Sequence, residues 1–232
     1  MTSGVRKKKV VILISGRGSN MESLIRAARE PDCPYEVVGV ISNRPAAQGL
    51  QKAARAGIAT AVVDHRQFDT REAFEEVLHE SLLVFQAELV ACAGFMRVLT
   101  ATFTERWAGR LLNIHPSLLP LYRGLDTHAR ALADGVRIHG CTVHFVTADL
   151  DGGPIIAQGA VPVLPHDTPE TLAARVLTVE HRIYPEALAL VASGAVRMEN
   201  GQTVGDWQAD ETAWISSPAI TCTLPIPGTR EK

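Results

Sequence analysis

The 232-residue sequence predicts a single α/β domain on a mostly parallel, Rossmann-like twisted sheet flanked by helices, becoming mixed toward the C-terminal half. Three observations carry that expectation. Short β-branched runs alternate with amphipathic stretches from Lys9 onward, the pattern of strands joined by crossover helices. A glycine loop, "SGRGSN", follows the first run directly. Two later runs, "ELVACAG" and "LLNIH", are apolar at nearly every position, as central strands covered on both faces are.

Taken in order, "VVILIS" (Val10 to Ser15) reads as the first strand, and a helix begins near Ser19, where Ser19 and Glu22 fit a capping box. "YEVVGVIS" gives the second strand, "QGLQKAARAG" a helix stopped by Gly57, and "ATAVVD" the third strand. A helix over Thr70 to Phe85, capped by Asp69 or Thr70, precedes "ELVACAG". A short helix over Thr100 to Trp107 separates that strand from "LLNIH". Beyond Pro120, "GLDTHARALADG" is helical, and "CTVHFVT" and "PIIAQGAVPV" are strands on either side of the turn "ADLDGGP". A long helix from Thr168 or Pro169 to Ser193 follows, with Pro185 expected to kink or interrupt it. "AVRMENGQTV" closes as a hairpin about Asn200-Gly201. Residues 1–205 thus form one domain, and 206–232 a tail without an assignable period.

The bulk numbers exclude several classes. With 46% hydrophobic and 21% charged residues and a formal net charge of -2, the chain is neither disordered nor a globally basic nucleic-acid binder. The "RKKK" cluster precedes only "VVILI", too short for a signal-peptide core or a membrane span. Cys33, Cys92, Cys141 and Cys222 form no CxxC pair and no metal-ligand spacing. The expectation is a reduced, cytoplasmic protein with no metal and with neither nucleic acid nor membrane as partner.

Three stretches could carry chemistry. In "SGRGSN" (Ser15 to Asn20), glycines between strand and helix let backbone N–H groups approach an anion at the helix N-terminus. Gly16 and Gly18 open a GxGxxG pattern, but Met21 stands where the third glycine would be and no P-loop lysine follows, so a phosphate monoester fits better than a dinucleotide. In "LLNIHPSLLP", Asn113 and His115 are two residues apart on a strand, so an amide and an imidazole share one face at the C-terminal end, where open parallel sheets bind ligands. In "DLDGGP", Asp149 to Pro154, a Gly-Gly turn brings carboxylates close to a neighbour, and an acid beside His115 would favour its protonated form. Each stretch also has a plain structural reading: a tight turn, a hydrogen-bonded polar pair, and a turn rich in Asp and Gly. Together they suit acyl transfer to an amine. Asn and protonated His would donate to the oxyanion of a tetrahedral intermediate, one such donor contributing about 3 kcal/mol. The His could also shuttle a proton, worth roughly 100- to 10,000-fold.

The segments "VLISGRGSN", "AGFMRVL", "AGRLLNIHPSLLP", "HGCTVHFVTADLDGGPIIAQ" and "VEHRIYPEAL" resemble the phosphoribosylglycinamide formyltransferases, also called glycinamide ribonucleotide transformylases, among the folate-dependent formyltransferases. The resemblance spans about Lys9 to Met198. It implies transfer of a formyl group from 10-formyltetrahydrofolate, as cosubstrate, to the amino group of glycinamide ribonucleotide in purine biosynthesis. It also implies the formyltransferase fold, with nucleotide binding in the N-terminal half and folate binding and catalysis in the C-terminal half, in a monomer or homodimer. By motif match it makes His115 the general acid, Asn113 a holder of the formyl oxygen, and Asp151, rather than Asp149, the acid that supports His115. Gly18, Ser19 and Asn20 would hold the phosphate. Glu180 would take the ribose hydroxyls, with Leu177, Thr178 and Val179 lining that site; by pattern alone Glu180 is only an exposed helix charge. The folate side would comprise Arg71, the segment Met96, Arg97, Val98 and Leu99, Asn113, and the loop Thr147, Ala148, Asp149, Leu150 and Asp151. Arg123 stands where a Pro is common in the family and Asp126 where many relatives carry His, beside the catalytic strand.

Three alternatives stand beside this. A formyltetrahydrofolate deformylase resembles "NIHHS" at the strand end and carries an added N-terminal domain, whereas here Pro116 follows His115 and eight residues precede the first strand. A methionyl-tRNA formyltransferase needs a further C-terminal domain. A nucleotide-binding sensor module would not need His115 and Asp151 together.

Overall fold

The run Lys8–Ile14 forms β1, and its alternation of side chains explains both layers of the core. Val10, Ile12 and Ile14 face one side with Met21, Leu24, Tyr184 and Leu188, while Val11 and Leu13 face the other with Phe74, Leu78, Leu82 and Trp107. Burying each such side chain stabilises the fold by about 1.5–3 kcal/mol. The computed structural model describes residues 6–206, so the tail from Trp207 and Cys222 lie outside the described residues.

Along the chain β1 is followed by α1 (Ser19–Ala28), β2 (Tyr35–Ser42), α2 (Gln48–Arg55), β3 (Thr60–Val62), α3 (Arg71–Val84), β4 (Leu89–Cys92), α4 (Ala101–Arg106) and β5 (Leu111–His115). Then come α5 (Thr127–Ala133), β6 (Ile138–Phe145), β7 (Ile155–Pro162), α6 (Pro169–Ser193), β8 (Val196–Glu199) and β9 (Gln202–Gly205). The seven-stranded sheet has the order β3-β2-β1-β4-β5-β6-β7. β1 to β5 are parallel, whereas β6 runs antiparallel to β5 and β7 antiparallel to β6. The expected class, mostly parallel and mixed toward the C-terminal half, is what the sheet shows, and the two apolar runs, β4 and β5, are interior. The strand order reverses between β1 and β4, and the crevice outside their carboxyl ends is where such sheets bind ligands.

Two local expectations fail. No capping box forms at α1: Gly18 is the N-cap in the left-handed region (φ 73), Ser19 is the first helical residue, and no side chain caps the end. Glu22 instead pairs with Lys52 at 2.7 Å. The turn out of β1 is tight enough to require a positive φ at its last residue, and it leaves the first-turn N–H groups without a side-chain partner. The second failure is at Pro185, through which α6 runs uninterrupted from Pro169 to Ser193. A well-capped start, with Thr168 and Thr171 in a reciprocal capping box, and a long buried face outweigh the lost backbone bond. Just before the proline, the Tyr184 hydroxyl donates to the Cys92 and Leu112 carbonyls at 2.9 and 3.3 Å, fixing α6 to β4 and β5.

The other ends follow their sequence signals. Thr70 caps α3 through the Ala73 N–H, Thr100 caps α4 through the Phe103 N–H, and Gly57 (φ 79) follows α2. The β8-β9 hairpin turns at Asn200 and Gly201, both with positive φ (50 and 73), as a type I′ turn needs.

Candidate active site

β5 ends on His115, and its antiparallel pairing with β6 sets Asn113 opposite His144 and His115 opposite Thr142. The Asn113 amide nitrogen lies 3.3 Å from His144 Nε2, and His144 Nδ1 lies 2.9 Å from the Phe145 carbonyl. A carbonyl only accepts, so Nδ1 carries the His144 proton and bare Nε2 accepts from Asn113. Burial, the largest influence on His144, pulls its pKa down, which keeps the ring neutral in this role. One Asn113 N–H is thereby anchored, and the second remains for a ligand.

The same logic fixes His115. Its Nε2 donates to the Tyr122 carbonyl at 2.9 Å, so Nδ1 is the ring nitrogen without a backbone partner. Nδ1 lies 3.4 Å from Asp151 Oδ2, while Asp151 Oδ1 lies 3.9 Å from His144 Nε2. His115 is buried (6% exposed). The structure therefore brings Asn113, His115 and Asp151 together, at the C-terminal edge of β5.

Asp151 arrives from the turn between β6 and β7. It adopts a left-handed backbone (φ 50), which costs a non-glycine residue on the order of 1–3 kcal/mol unless its surroundings hold it. One such hold is the Gly124 N–H, which donates to Asp151 Oδ2 at 2.9 Å. Of the two following glycines, Gly153 is demanded by backbone, since a Cβ there would fall 1.8 Å from the Phe145 carbonyl oxygen, while one on Gly152 would fall 1.9 Å from Asp149 Oδ2 and displace that side chain. That explains the Asp-Gly-Gly run. Asp149 itself turns away from His115 and pairs with Arg123 at 2.9 Å.

Across the sheet edge, α1 starts with the uncapped turn at Gly18, Ser19 and Asn20. Asn20 is buried, its amide nitrogen donating to Glu180 Oε2 on α6 at 2.6 Å while its Oδ1 has no partner among the described residues. Glu180 is 7% exposed, which corrects the reading of it as an exposed helix charge. Its burial raises its pKa, opposed by the Asn20 hydrogen bond. Leu177 and Val179 are half-buried and Thr178 is exposed on the preceding turn of α6.

A cleft with about 540 Å³ of open space runs over the ends of β4, β5 and β6. Arg97, Val98 and Leu99 line one side, the loop Thr147 to Asp151 the other, and Asn113 and His144 the floor. Met96 and Arg71 are not among the lining residues: the Met96 side chain is exposed, and Arg71 stands exposed at the start of α3. The Met96 backbone N–H is nonetheless tied to the residue that follows β1, donating to Ser15 Oγ at 2.8 Å, and Ser15 donates in turn to Asn43 Oδ1 at 2.6 Å. The wall segment is therefore bonded to the first residue of the glycine loop.

Comparison with known proteins shows the family. The formyl transferase family model matches residues 8–188. The chain belongs to the formyl transferase family. This chain is 45% identical over 199 residues to phosphoribosylglycinamide formyltransferase of Escherichia coli, covering 86% of this chain and 94% of that one. It is 51% identical over 198 residues to the trifunctional purine biosynthetic protein adenosine-3 of Bos taurus, covering 85% of this chain and 20% of that protein. The chain thus spans about a fifth of the length of such trifunctional relatives. A solved phosphoribosylglycinamide formyltransferase from Brucella melitensis superposes with a TM-score of 0.78 at 54% identity, over 82% of this chain and 97% of that one.

Sequence reasoning missed His144, the Tyr122 carbonyl and the Gly124 N–H. A histidine within the apolar strand "CTVHFVT" reads as a packed core residue, and only the β5-β6 register reveals that it faces Asn113. The other two are backbone groups, which leave no mark on residue type.

Proposed function

We propose that this formyltransferase moves a formyl group from 10-formyltetrahydrofolate to the amino group of glycinamide ribonucleotide, giving N-formylglycinamide ribonucleotide and tetrahydrofolate. The substrate amine attacks the formyl carbon, a C–N bond forms, and the carbonyl oxygen becomes an oxyanion. The free Asn113 N–H and protonated His115 Nδ1 stabilise that oxyanion, and Asp151 stabilises the imidazolium. As the bond to the folate nitrogen breaks, a proton passes from the amine to the leaving nitrogen by way of His115. The carbon-nitrogen bond formed replaces the one broken, so no oxidant or reductant enters the balance.

The observation that carries this reading is the paired restraint on β5. Tyr122 holds His115 Nε2 and His144 holds one Asn113 N–H, so the second Asn113 N–H, at the cleft floor, and His115 Nδ1, beside Asp151, are left available. For the ribonucleotide, the uncapped N–H groups at Ser19 and Asn20 suit a phosphate. The unpartnered Asn20 Oδ1 and the buried Glu180 suit ribose hydroxyls. For the folate, the cleft between Arg97 to Leu99 and Thr147 to Asp151 offers backbone groups to a pteridine edge, whereas Met96 and Arg71 do not line it. The partners are thus small molecules. A reducing, cytoplasmic setting is consistent with free Cys33, Cys92 and Cys141, and no described helix is long and apolar enough to cross a membrane.

Mixing the protein with both substrates and following folate absorbance tests the proposal. Turnover that requires the ribonucleotide supports it. Turnover with formylated folate and water alone supports a deformylase instead, and binding without turnover a sensor module.

A further inference from the structure

Of three consecutive residues, Tyr122 and Gly124 meet the catalytic pair through backbone groups, while Arg123 between them meets the turn that carries Asp151. The Tyr122 carbonyl accepts from His115 Nε2 at 2.9 Å, and the Gly124 N–H donates to Asp151 Oδ2 at 2.9 Å. Between them the Arg123 guanidinium donates to Asp149 Oδ2 at 2.9 Å. Asp149 precedes Asp151 by two residues, so the ion pair joins the segment that orients His115 to the turn that carries its acid.

We propose that the Arg123–Asp149 ion pair is a positioning latch that keeps His115 and Asp151 aligned. The inference rests on the catalytic roles proposed above. Both linked turns need holding: Tyr122 and Asp151 each carry a left-handed backbone (φ 55 and 50), a conformation that non-glycine residues keep only under external restraint. Arg130 supplies part of the restraint on the Tyr122 side, donating to the Arg123 carbonyl at 2.7 Å and covering the Tyr122 ring at 5.5 Å. Nothing but the Gly124 bond and the Arg123 bridge joins that segment to the Asp149 turn by hydrogen bonds among the described residues. The two side chains are 42% and 66% exposed, so the latch is weak, in the range of surface ion pairs. A weak latch suits a turn that has to admit and release folate.

The latch touches no reacting atom, so its loss acts through alignment and appears in kcat. With both substrates saturating, Arg123→Gln and Asp149→Asn should each lower kcat by about fivefold, the range an exposed pair commands. The double variant should be no slower than either single one, because both remove the same contact. Arg123→Lys, which keeps the charge, should retain most of the rate, and KM for the ribonucleotide should stay near the wild-type value throughout. Thermal melts confirm that the variants fold. Full kcat in Arg123→Gln, or a double variant slowed by the product of the two single effects, would overturn the latch. Because each variant is read against active wild type, a wild type inactive with the ribonucleotide would mark failure of the proposed reaction instead.

Discussion

At His115 the Tyr122 carbonyl holds one ring nitrogen at 2.9 Å, which leaves Nδ1, 3.4 Å from Asp151, as the atom to which the proposed mechanism assigns the working proton. Asp151→Ala should therefore lower kcat by roughly 100-fold or more, the scale of lost acid-base assistance. KM for the ribonucleotide should change little, as steady-state kinetics at fixed folate can show. Asn113 and His115 were legible because polar side chains in an apolar strand are costly and share a face. Choosing Asp151 over Asp149 needed the family resemblance: both lie in one turn, and only the fold shows Asp149 drawn off to Arg123. Glu180 was misread by pattern because its burial comes from α6 lying on α1, where Asn20 meets it at 2.6 Å.

The elements that bring these residues together were largely written in local signals, and the departures have physical causes. β2 and β5 have the bounds their apolar runs suggest, and Thr70, Thr100 and Thr168 cap as their positions imply. The capping box at α1 failed because the residue before Ser19 is a left-handed glycine, and that failure frees the very N–H groups a phosphate would use. Ser19→Ala, which keeps those N–H groups but removes the hydroxyl beside them, should raise KM for the ribonucleotide several-fold with kcat nearly unchanged, since phosphate binding is common to ground and transition states. A fall in kcat at constant KM would place the phosphate elsewhere. Pro185 failed as a breaker because tertiary packing of Tyr184, Leu188 and Val191 sets the course of α6.

For the whole molecule, the alternation of strands and helices predicted the class, but not the order β3-β2-β1-β4-β5-β6-β7. Apolar runs say that a strand is buried, not which strand is its neighbour. The antiparallel entry of β6 matters most, because it delivers His144 and the Asp151 turn to the end of β5. The same packing buries His139 against His128, with ring centroids 5.3 Å apart. Burial first, and the neighbouring His128 second, lower the His139 pKa to about 4. A depressed histidine pKa means that the unfolded chain binds the proton more readily. This contribution to stability is complete above the ordinary value of about 6.5 and is lost as pH falls toward 4. Melting temperature should drop across that window, and His139→Asn should flatten the drop relative to its own value at neutral pH. The central claim, formyl transfer through His115 at the end of β5, is tested most directly by folate absorbance under saturating substrates for the wild type and His115→Ala. The account predicts wild-type turnover that depends on glycinamide ribonucleotide and falls by at least about 100-fold in the variant; near-normal turnover in His115→Ala, or wild-type turnover without the ribonucleotide, would contradict it.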